Sequence, residues 1–325
     1  MPLISSRSVR KSIAEVRRNN RSLVFAQIAD VDAMSRELES IRLENQSITA
    51  SRLQRRLSTA YLATFAIAAT SLAMQHRTGG VPPIPQGHRR EEHVPDPNFV
   101  VHCLLAQIVN YSLAVLRLVE DGLDNPARCV LRALYELCLK TIVLSADADT
   151  LREYASANAP ALEVWHRLFA SGKLEKKAAA VERRVGATED TIAAFRAYFR
   201  SAVEMNSEAV HHSFASAVMR SHVTDTTSSE FLHLNILGHT SIASRNTLEN
   251  LNIVLRYTHA MLSNVISDIH GFTPPADNAA WQTVKFYTTC LETLRHYEKS
   301  RVPSRASERQ GPPPMHDRIG DSHPI

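Results

Sequence analysis

The sequence is poor in the residues that build tight turns, disulfides and metal sites. Only 10 of its 325 residues are glycine and 4 are cysteine, and no CxxC pair occurs. This composition disfavours glycine-built phosphate loops, disulfide scaffolds and zinc knuckles. The GxGxxG, Walker, HExxH and GxSxG motifs do not occur either, which argues against dinucleotide enzymes, P-loop enzymes, zincins and α/β-hydrolases.

The hydrophobic pattern predicts helices throughout. No segment alternates polar and apolar residues over the length of a strand, so we expect no sheet. The sequence therefore predicts an all-α protein, a helical bundle with an N-terminal coiled-coil-like helix and a disordered C-terminal tail. We expect an N-terminal helical segment over residues 1–76, a linker rich in proline and glycine over 77–98, a bundle domain over 99–300 and the tail over 301–325.

Residues 20–50 show the seven-residue spacing of a coiled coil. One seam position holds an asparagine, which is a known device for fixing the register of packed helices. The seam consists of Val24, Val31, Leu38 and Asn45, each followed three residues later by Gln27, Met34, Ile41 and Ile48. The pattern fits two outcomes that the sequence leaves open, a homodimer formed through residues 20–50 or docking of the segment on the rest of the protein.

Residues 57–74 form an apolar, charge-free stretch. Its length is at the short limit for a bilayer span, and five serine and threonine side chains lower its hydrophobicity. We therefore expect a buried bundle helix and no membrane contact, with a membrane anchor as the alternative. The N-terminus lacks the pattern of a signal peptide, and free cysteines fit a reducing compartment, so we expect a cytoplasmic location.

The net charge of +4 is unevenly distributed. Residues 1–60 carry eleven basic and six acidic side chains, whereas the body of the chain is slightly acidic. A basic arm fits RNA or another anionic partner, and ordinary solvated helix faces fit the same counts. RNA and a partner protein both remain candidate partners.

The helix predicted over residues 126–146 carries a candidate ion pair. Arg132 and Glu136 are four residues apart, so they share a helix face. They fit a partly buried pair that holds a site or that supplies a cation to an anionic substrate. Arg128 and Lys140 extend the same spacing, however, and the four residues also fit the solvated stripe of an amphipathic helix.

A second candidate group lies near residue 210. Ser207 and His211 are four residues apart at the predicted end of a helix. The histidine fits a general acid or base, a metal ligand or an ordinary helix-end residue. His233 and His239, like His259 and His270, lack the spacing that puts two ligands on one helix face, so we predict no metal site and no cofactor.

Both candidate groups lie in longer segments that resemble a known family. The run GLDNPARCVLRALYELCLKTIVLSADADTLREY and the later NSEAVHHS resemble an uncharacterised bacterial all-helical family whose members share an RxxxE helix and an SxxxH segment. The resemblance covers roughly residues 60–270. It implies that Arg132, Glu136, Ser207 and His211 are the site positions, and it brings no established reaction with them.

That family is in turn similar to the HEPN class of helical bundles from defence and toxin–antitoxin systems. Many HEPN proteins are metal-independent ribonucleases with four to six residues between an arginine and a following histidine. This sequence has that pattern only from Arg309 to His316 and from Arg318 to His323, in the predicted disordered tail. We expect a helical binding or regulatory protein of a bacterial defence or stress system, with an internal Arg/Glu/Ser/His cluster. The alternative is a HEPN-like ribonuclease in which His211 is the general acid or base and Arg132 stabilises the phosphate.

Overall fold

The computed structural model describes residues 31–77, 97–156, 160–210, 242–270 and 277–301, with a few scattered positions besides. No strand occurs in these residues, and the predicted all-α bundle is confirmed. Nine helices cover this part of the chain: α1 (Val31–Arg77), α2 (Pro97–Glu120), α3 (Asp124–Ala146), α4 (Ala148–Ser156), α5 (Ala161–Leu168), α6 (Lys173–Arg184), α7 (Glu189–Val210), α8 (Ile242–Asn264) and α9 (Ala279–Arg301). A π-helical turn, Val265–Ile269, follows α8.

The longest helix, α1, joins two segments that the sequence suggested separately. Its 47 residues include the second half of the heptad pattern and the whole apolar stretch. It packs against α2, α8 and α9, and alanines with no exposed surface, such as Ala60 and Ala63, let the neighbouring helices approach closely. Side chains of α1 therefore lie in the same hydrophobic core as those of α2, α3 and α8.

The heptad asparagine of α1 is used within the chain. Asn45 is 1% exposed, and its amide donates a hydrogen bond to the main-chain oxygen of Asp121 at 3.3 Å. The next residue, Gly122, has φ +80°, and a Cβ there would lie 2.4 Å from Asn45 Nδ2. The part of the seam that is described thus docks on the turn between α2 and α3, and the homodimer stays a prediction.

Two helices are long and apolar enough to cross a bilayer by length and composition alone. They are Ser35–Met74 within α1 and Phe99–Glu120 within α2. Two thirds of the apolar window in α1 is buried inside the bundle, as in the core helix of a soluble protein. Membrane contact and cellular location remain expectations.

Helix α3 lies at the centre of the bundle. It contacts α2, α6, α7 and α8, and most of its residues are buried. At the C-terminal end of α3, the side chain of Arg184 in α6 donates a hydrogen bond to the main-chain oxygen of Ala146 at 3.1 Å. The predicted linker falls mainly on residues 78–96 and the predicted tail on 302–325, both of which lie outside the described residues.

Candidate polar site between α3 and α7

Helix α7 packs antiparallel to α3, and two contacts define their register. Near the start of α3, Arg128 reaches Met205 and Asn206 of α7. Seven residues further along α3, the ring of Tyr135 lies edge-on to Phe199, with centroids 5.8 Å apart. Residue numbers therefore rise along α3 as they fall along the facing stretch of α7.

Arg128 is the best-buried basic side chain in this interface. It is 4% exposed, its Nε donates to the side-chain oxygen of Asn206 at 3.1 Å, and its Nη2 donates to the main-chain oxygen of Met205. Asn206 has no exposed surface and donates its own amide to Ala202 O at 2.8 Å. The remaining terminal nitrogen of Arg128, Nη1, is buried without a hydrogen-bond partner.

We call Arg128, Arg132, Glu136 and Lys140, which follow one another every four residues on α3, the α3 ladder. Its later members are more exposed to solvent than its first. Each step of four residues turns a helix by about 400°, so successive members drift by about 40°. Arg128 is accordingly buried, whereas Arg132, Glu136 and Lys140 are half-buried. The ammonium group of Lys140 lies 5.5 Å from the ring centroid of Tyr154. The ladder is therefore not a fully solvated stripe.

The structure does not bring the predicted residues together where it describes them. Arg132 and Glu136 form no salt bridge with each other, and the Arg132 Nε is buried without a partner. The Ser207 hydroxyl donates to Val203 O of its own helix at 2.6 Å. The register places Ser207 about 8 Å along the helix axis from Arg132. His211 lies outside the described residues, so its place in the cluster stays a prediction.

Two tyrosines continue the polar interior beyond Arg132. Tyr198 of α7 donates to the side-chain oxygen of Asn250 in α8 at 2.7 Å. Tyr135 is 1% exposed, and its hydroxyl faces the side chains of Tyr198 and Asn206 without a hydrogen bond of normal geometry to either. Burial raises the pKa of both hydroxyls, so both stay protonated at neutral pH and remain hydrogen-bond donors.

A second polar cluster lies between α6, α7 and α8, and we call it the Glu182 cluster. Glu182 is 1% exposed, and its Oε1 accepts hydrogen bonds from Arg196 Nη2 and from the Tyr257 hydroxyl. Arg196 Nη2 also donates to the Tyr257 oxygen at 3.0 Å. The guanidinium group of Arg196 lies 5.5 Å from the ring centroid of Phe199, which links this cluster to Tyr135.

The sequence pattern selected Arg132, whereas the buried arginine of this interface is Arg128, one helical turn earlier. Arg128 shares a face with Leu131 and Tyr135, which are fully buried, and that grouping was the available signal for an interior arginine. Asn206 likewise follows Phe199 and Ala202 on the apolar face of α7. A polar residue at an apolar position of two facing helices predicts a buried contact between them.

The described residues hold no group of three or more histidine, cysteine or acidic side chains that could bind a metal ion. Comparison of the chain with family models, with curated proteins and with solved structures finds no match. The geometry of the two clusters is therefore the basis for any statement about function.

Proposed function

We propose that this chain is a helical binding or regulatory protein, in which the polar contacts between α3 and α7 fix the packing of the bundle. The observation that carries the proposal is the buried bridge from Arg128 to Asn206 and Met205. Buried polar contacts of this kind hold two helices in one register, because every alternative packing leaves their donors and acceptors unpaired. A role in a bacterial defence or stress system is the expectation that the resemblance adds.

The side chains around this bridge are poorly suited to proton transfer. Burial raises the pKa of Tyr135, so its hydroxyl is no base at neutral pH. Cys129 lies beside Arg132, whose charge lowers the pKa of the thiol, but burial has the larger effect and raises it. The Ser207 hydroxyl is engaged by its own helix and has no base beside it among the described residues.

A ribonuclease is the second candidate function, and the state of Arg132 favours it. Arg132 is half-buried as a residue and forms no salt bridge with a described residue, and its buried Nε has no hydrogen-bond partner, so its charge is available to a phosphate. In this alternative His211 is the general acid or base and Arg132 stabilises the phosphate, which requires the fold to bring the two residues together.

Two measurements on the full-length chain test the proposal. Asn206→Ala removes an acceptor of the buried Arg128, and we expect it to lower the free energy of unfolding by about 2–3 kcal/mol in urea titrations. Ser207→Ala is the matched control, because that hydroxyl bonds only its own helix. We expect a change within about 0.5 kcal/mol. Equal stability of the two variants would show that the bridge does not hold the bundle.

The second measurement is incubation of the wild type and His211→Ala with total RNA. We expect no cleavage above the buffer control for either protein. Cleavage by the wild type that is lost in a folded His211→Ala variant would replace the proposal with the ribonuclease.

A further inference from the structure

Two neighbouring helices expose apolar side chains on one side of the bundle. Residues 57–74 of α1 and 99–116 of α2 contain no aspartate, glutamate, lysine or arginine. In α1, 67% of the apolar window is buried, whereas in α2 only 39% is buried. The outer side of α2 therefore carries apolar surface that the described residues leave uncovered.

Contacts at both ends place the exposed rows of α1 and α2 side by side. The Tyr61 hydroxyl donates to the carboxylate of Glu120 at 2.9 Å, and the Ser71 hydroxyl lies 2.9 Å from Nδ1 of His102. The two helices are therefore antiparallel neighbours, and both contribute to the same hydrophobic core. Because that core lies on one side of the pair, the solvent-facing side chains of both helices lie on the other.

Aromatic rings extend this surface from α1 to α9. The ring centroids of Phe65 and Tyr287 are 5.9 Å apart, and those of Tyr287 and Phe286 are 5.3 Å apart. Phe65 is 41% exposed and Phe286 is 61% exposed. We call Phe65, Leu72, Leu113 and Phe286, with the smaller side chains between them, the apolar face. Among the described residues seven large apolar side chains are exposed, and four of them belong to this face.

The apolar face is large enough for a specific protein interface. Eighteen helical residues extend over about 27 Å, and two helices side by side are about 20 Å wide. Their footprint is therefore roughly 500 Å² on each partner, or about 1,000 Å² for a pair, before the rings of α9 are added. Specific interfaces begin at about 1,000 Å² in total, and monomeric proteins rarely expose an apolar patch of more than a few hundred Å².

The chemistry of the face fits a protein partner better than lipid. Gln107 and Asn110 are exposed on α2 among its apolar side chains. Their amide groups need hydrogen-bond partners, which a facing protein surface supplies and hydrocarbon does not. Aromatic side chains and an absence of charge are also typical of the centre of a protein interface.

The stretches of this chain that adjoin the face are unsuited to covering it. Residues 78–96 connect α1 to α2, and residues 302–325 follow α9. Both are rich in proline and charged residues, and neither contains a leucine, phenylalanine or tyrosine. A second copy of the chain brings the same charge-free aromatic surface, so that an isologous pair covers both faces without burying a charge.

We propose that the apolar face is a homodimer interface, in which α1 and α2 of one copy pack on the same helices of a second copy across a two-fold axis. The inference goes beyond the proposed function, because no residue of the face takes part in the contacts between α3 and α7. It places the dimer interface on a different part of α1 from the heptad segment of residues 20–50.

The test is sedimentation velocity of the full-length chain over a range of concentrations, where we expect a reversible equilibrium between monomer and dimer. Leu72→Lys should raise the dissociation constant about tenfold or more, because an isologous interface contains each substitution twice. Leu43→Lys is the matched control and should dimerise as the wild type does. Leu43 is 52% exposed and Leu72 is 54% exposed on the same helix, but Leu43 lies about 21 Å before residue 57 along the helix axis.

Alkylation of the cysteines gives a second readout that reports on the face itself. Cys103 is exposed on α2 within the face, whereas Cys129 is half-buried on α3. We expect iodoacetamide to modify Cys103 more slowly as the protein concentration rises, with the modification of Cys129 unchanged. Modification of Cys103 at a constant rate while the chain dimerises would place the interface elsewhere and overturn the proposal.

The remaining outcomes are equally decisive, once thermal melting has confirmed that the variants fold. A monomer at every concentration would overturn the proposal, and binding of that monomer to phosphatidylcholine vesicles, lost in Leu72→Lys, would assign the face to a bilayer. A dimer that Leu72→Lys leaves intact would also overturn it. Dissociation of that dimer by Ile41→Lys would place the interface in residues 20–50.

Discussion

Two arginines enter the interior of this bundle from adjacent helices, and their charges are compensated differently. Arg196 of α7 meets a buried carboxylate, Glu182, and the hydroxyl of Tyr257. Arg128 of α3 meets only neutral oxygens, although it is buried at least as well. The side chain of Arg196 is 10% exposed and Arg128 is 4% exposed. Burial alone therefore does not explain the difference.

A third ionisable group shows another way of avoiding a buried charge. His259 of α8 is 5% exposed, and burial lowers its pKa to about 4, so it is neutral at physiological pH. A histidine can lose its proton and an arginine cannot. The chain thus pairs Arg196 with a carboxylate and leaves His259 neutral, whereas Arg128 keeps its charge and donates to two neutral oxygens.

The largest effect is expected from removing the counter-charge of Arg196. Glu182→Gln keeps the shape of the side chain and leaves a guanidinium group buried without a carboxylate. We expect a loss of about 3–5 kcal/mol in the free energy of unfolding, measured by urea titration. Arg128→Met leaves behind only neutral acceptors, and its expected loss is smaller, about 1–2 kcal/mol.

The triple variant Glu182→Leu/Arg196→Met/Tyr257→Phe is the control for this prediction. It removes both charges together with the hydroxyl that bonds them, so we expect its stability to lie within about 1 kcal/mol of the wild type. A Glu182→Gln variant as stable as the wild type would mean that Arg196 needs no counter-charge, and the contrast with Arg128 would lose its basis.

The helical architecture follows from the sequence because helix periodicity and the scarcity of glycine are local properties. The end of α3 at Ala146 was predicted correctly, since its apolar pattern stops there. The continuity of α1 was missed because the heptad and apolar stretches have different compositions, and only packing against α2, α8 and α9 shows that they form one helix.

The candidate site depends on contacts between helices that are distant in sequence. The i, i+4 spacing selected Arg132 and Glu136, but it says nothing about which member of the ladder faces α7. The antiparallel register of α3 and α7 decides that, and it places Arg128 opposite Asn206. The Glu182 cluster was missed for the same reason, since its members come from three helices.

The second-largest effect is a pH dependence of the free energy of unfolding, caused by His259. Its Nε2 lies 2.8 Å from the Thr288 hydroxyl, which itself donates to Val284 O, so the histidine is the donor. The folded pKa of about 4 lies below the ordinary 6.5, so the unfolded chain binds the proton first as the pH falls. Stability should therefore fall by about 2 kcal/mol between pH 7 and pH 5 through this group.

Urea titrations of the wild type and His259→Gln across this pH range check the prediction. The variant keeps a donor for Thr288 but has no proton to gain, so its curve should lack this slope. His270→Gln, which changes an exposed histidine, should keep the slope of the wild type. Parallel curves for the wild type and His259→Gln would show that His259 does not titrate in this way.

The smallest effects come from two tyrosines that differ only in their partners. The Tyr257 hydroxyl donates to Glu182 and accepts from Arg196, and hydrogen bonds to charged groups are worth about 1.5–3 kcal/mol. We expect Tyr257→Phe to lose about 2 kcal/mol in urea titrations. The Tyr135 hydroxyl faces Tyr198 and Asn206 without a hydrogen bond of normal geometry, so Tyr135→Phe should change stability by less than about 0.5 kcal/mol. A loss in Tyr135→Phe as large as in Tyr257→Phe would mean that Tyr198 or Asn206 forms a full hydrogen bond with this hydroxyl in the folded chain.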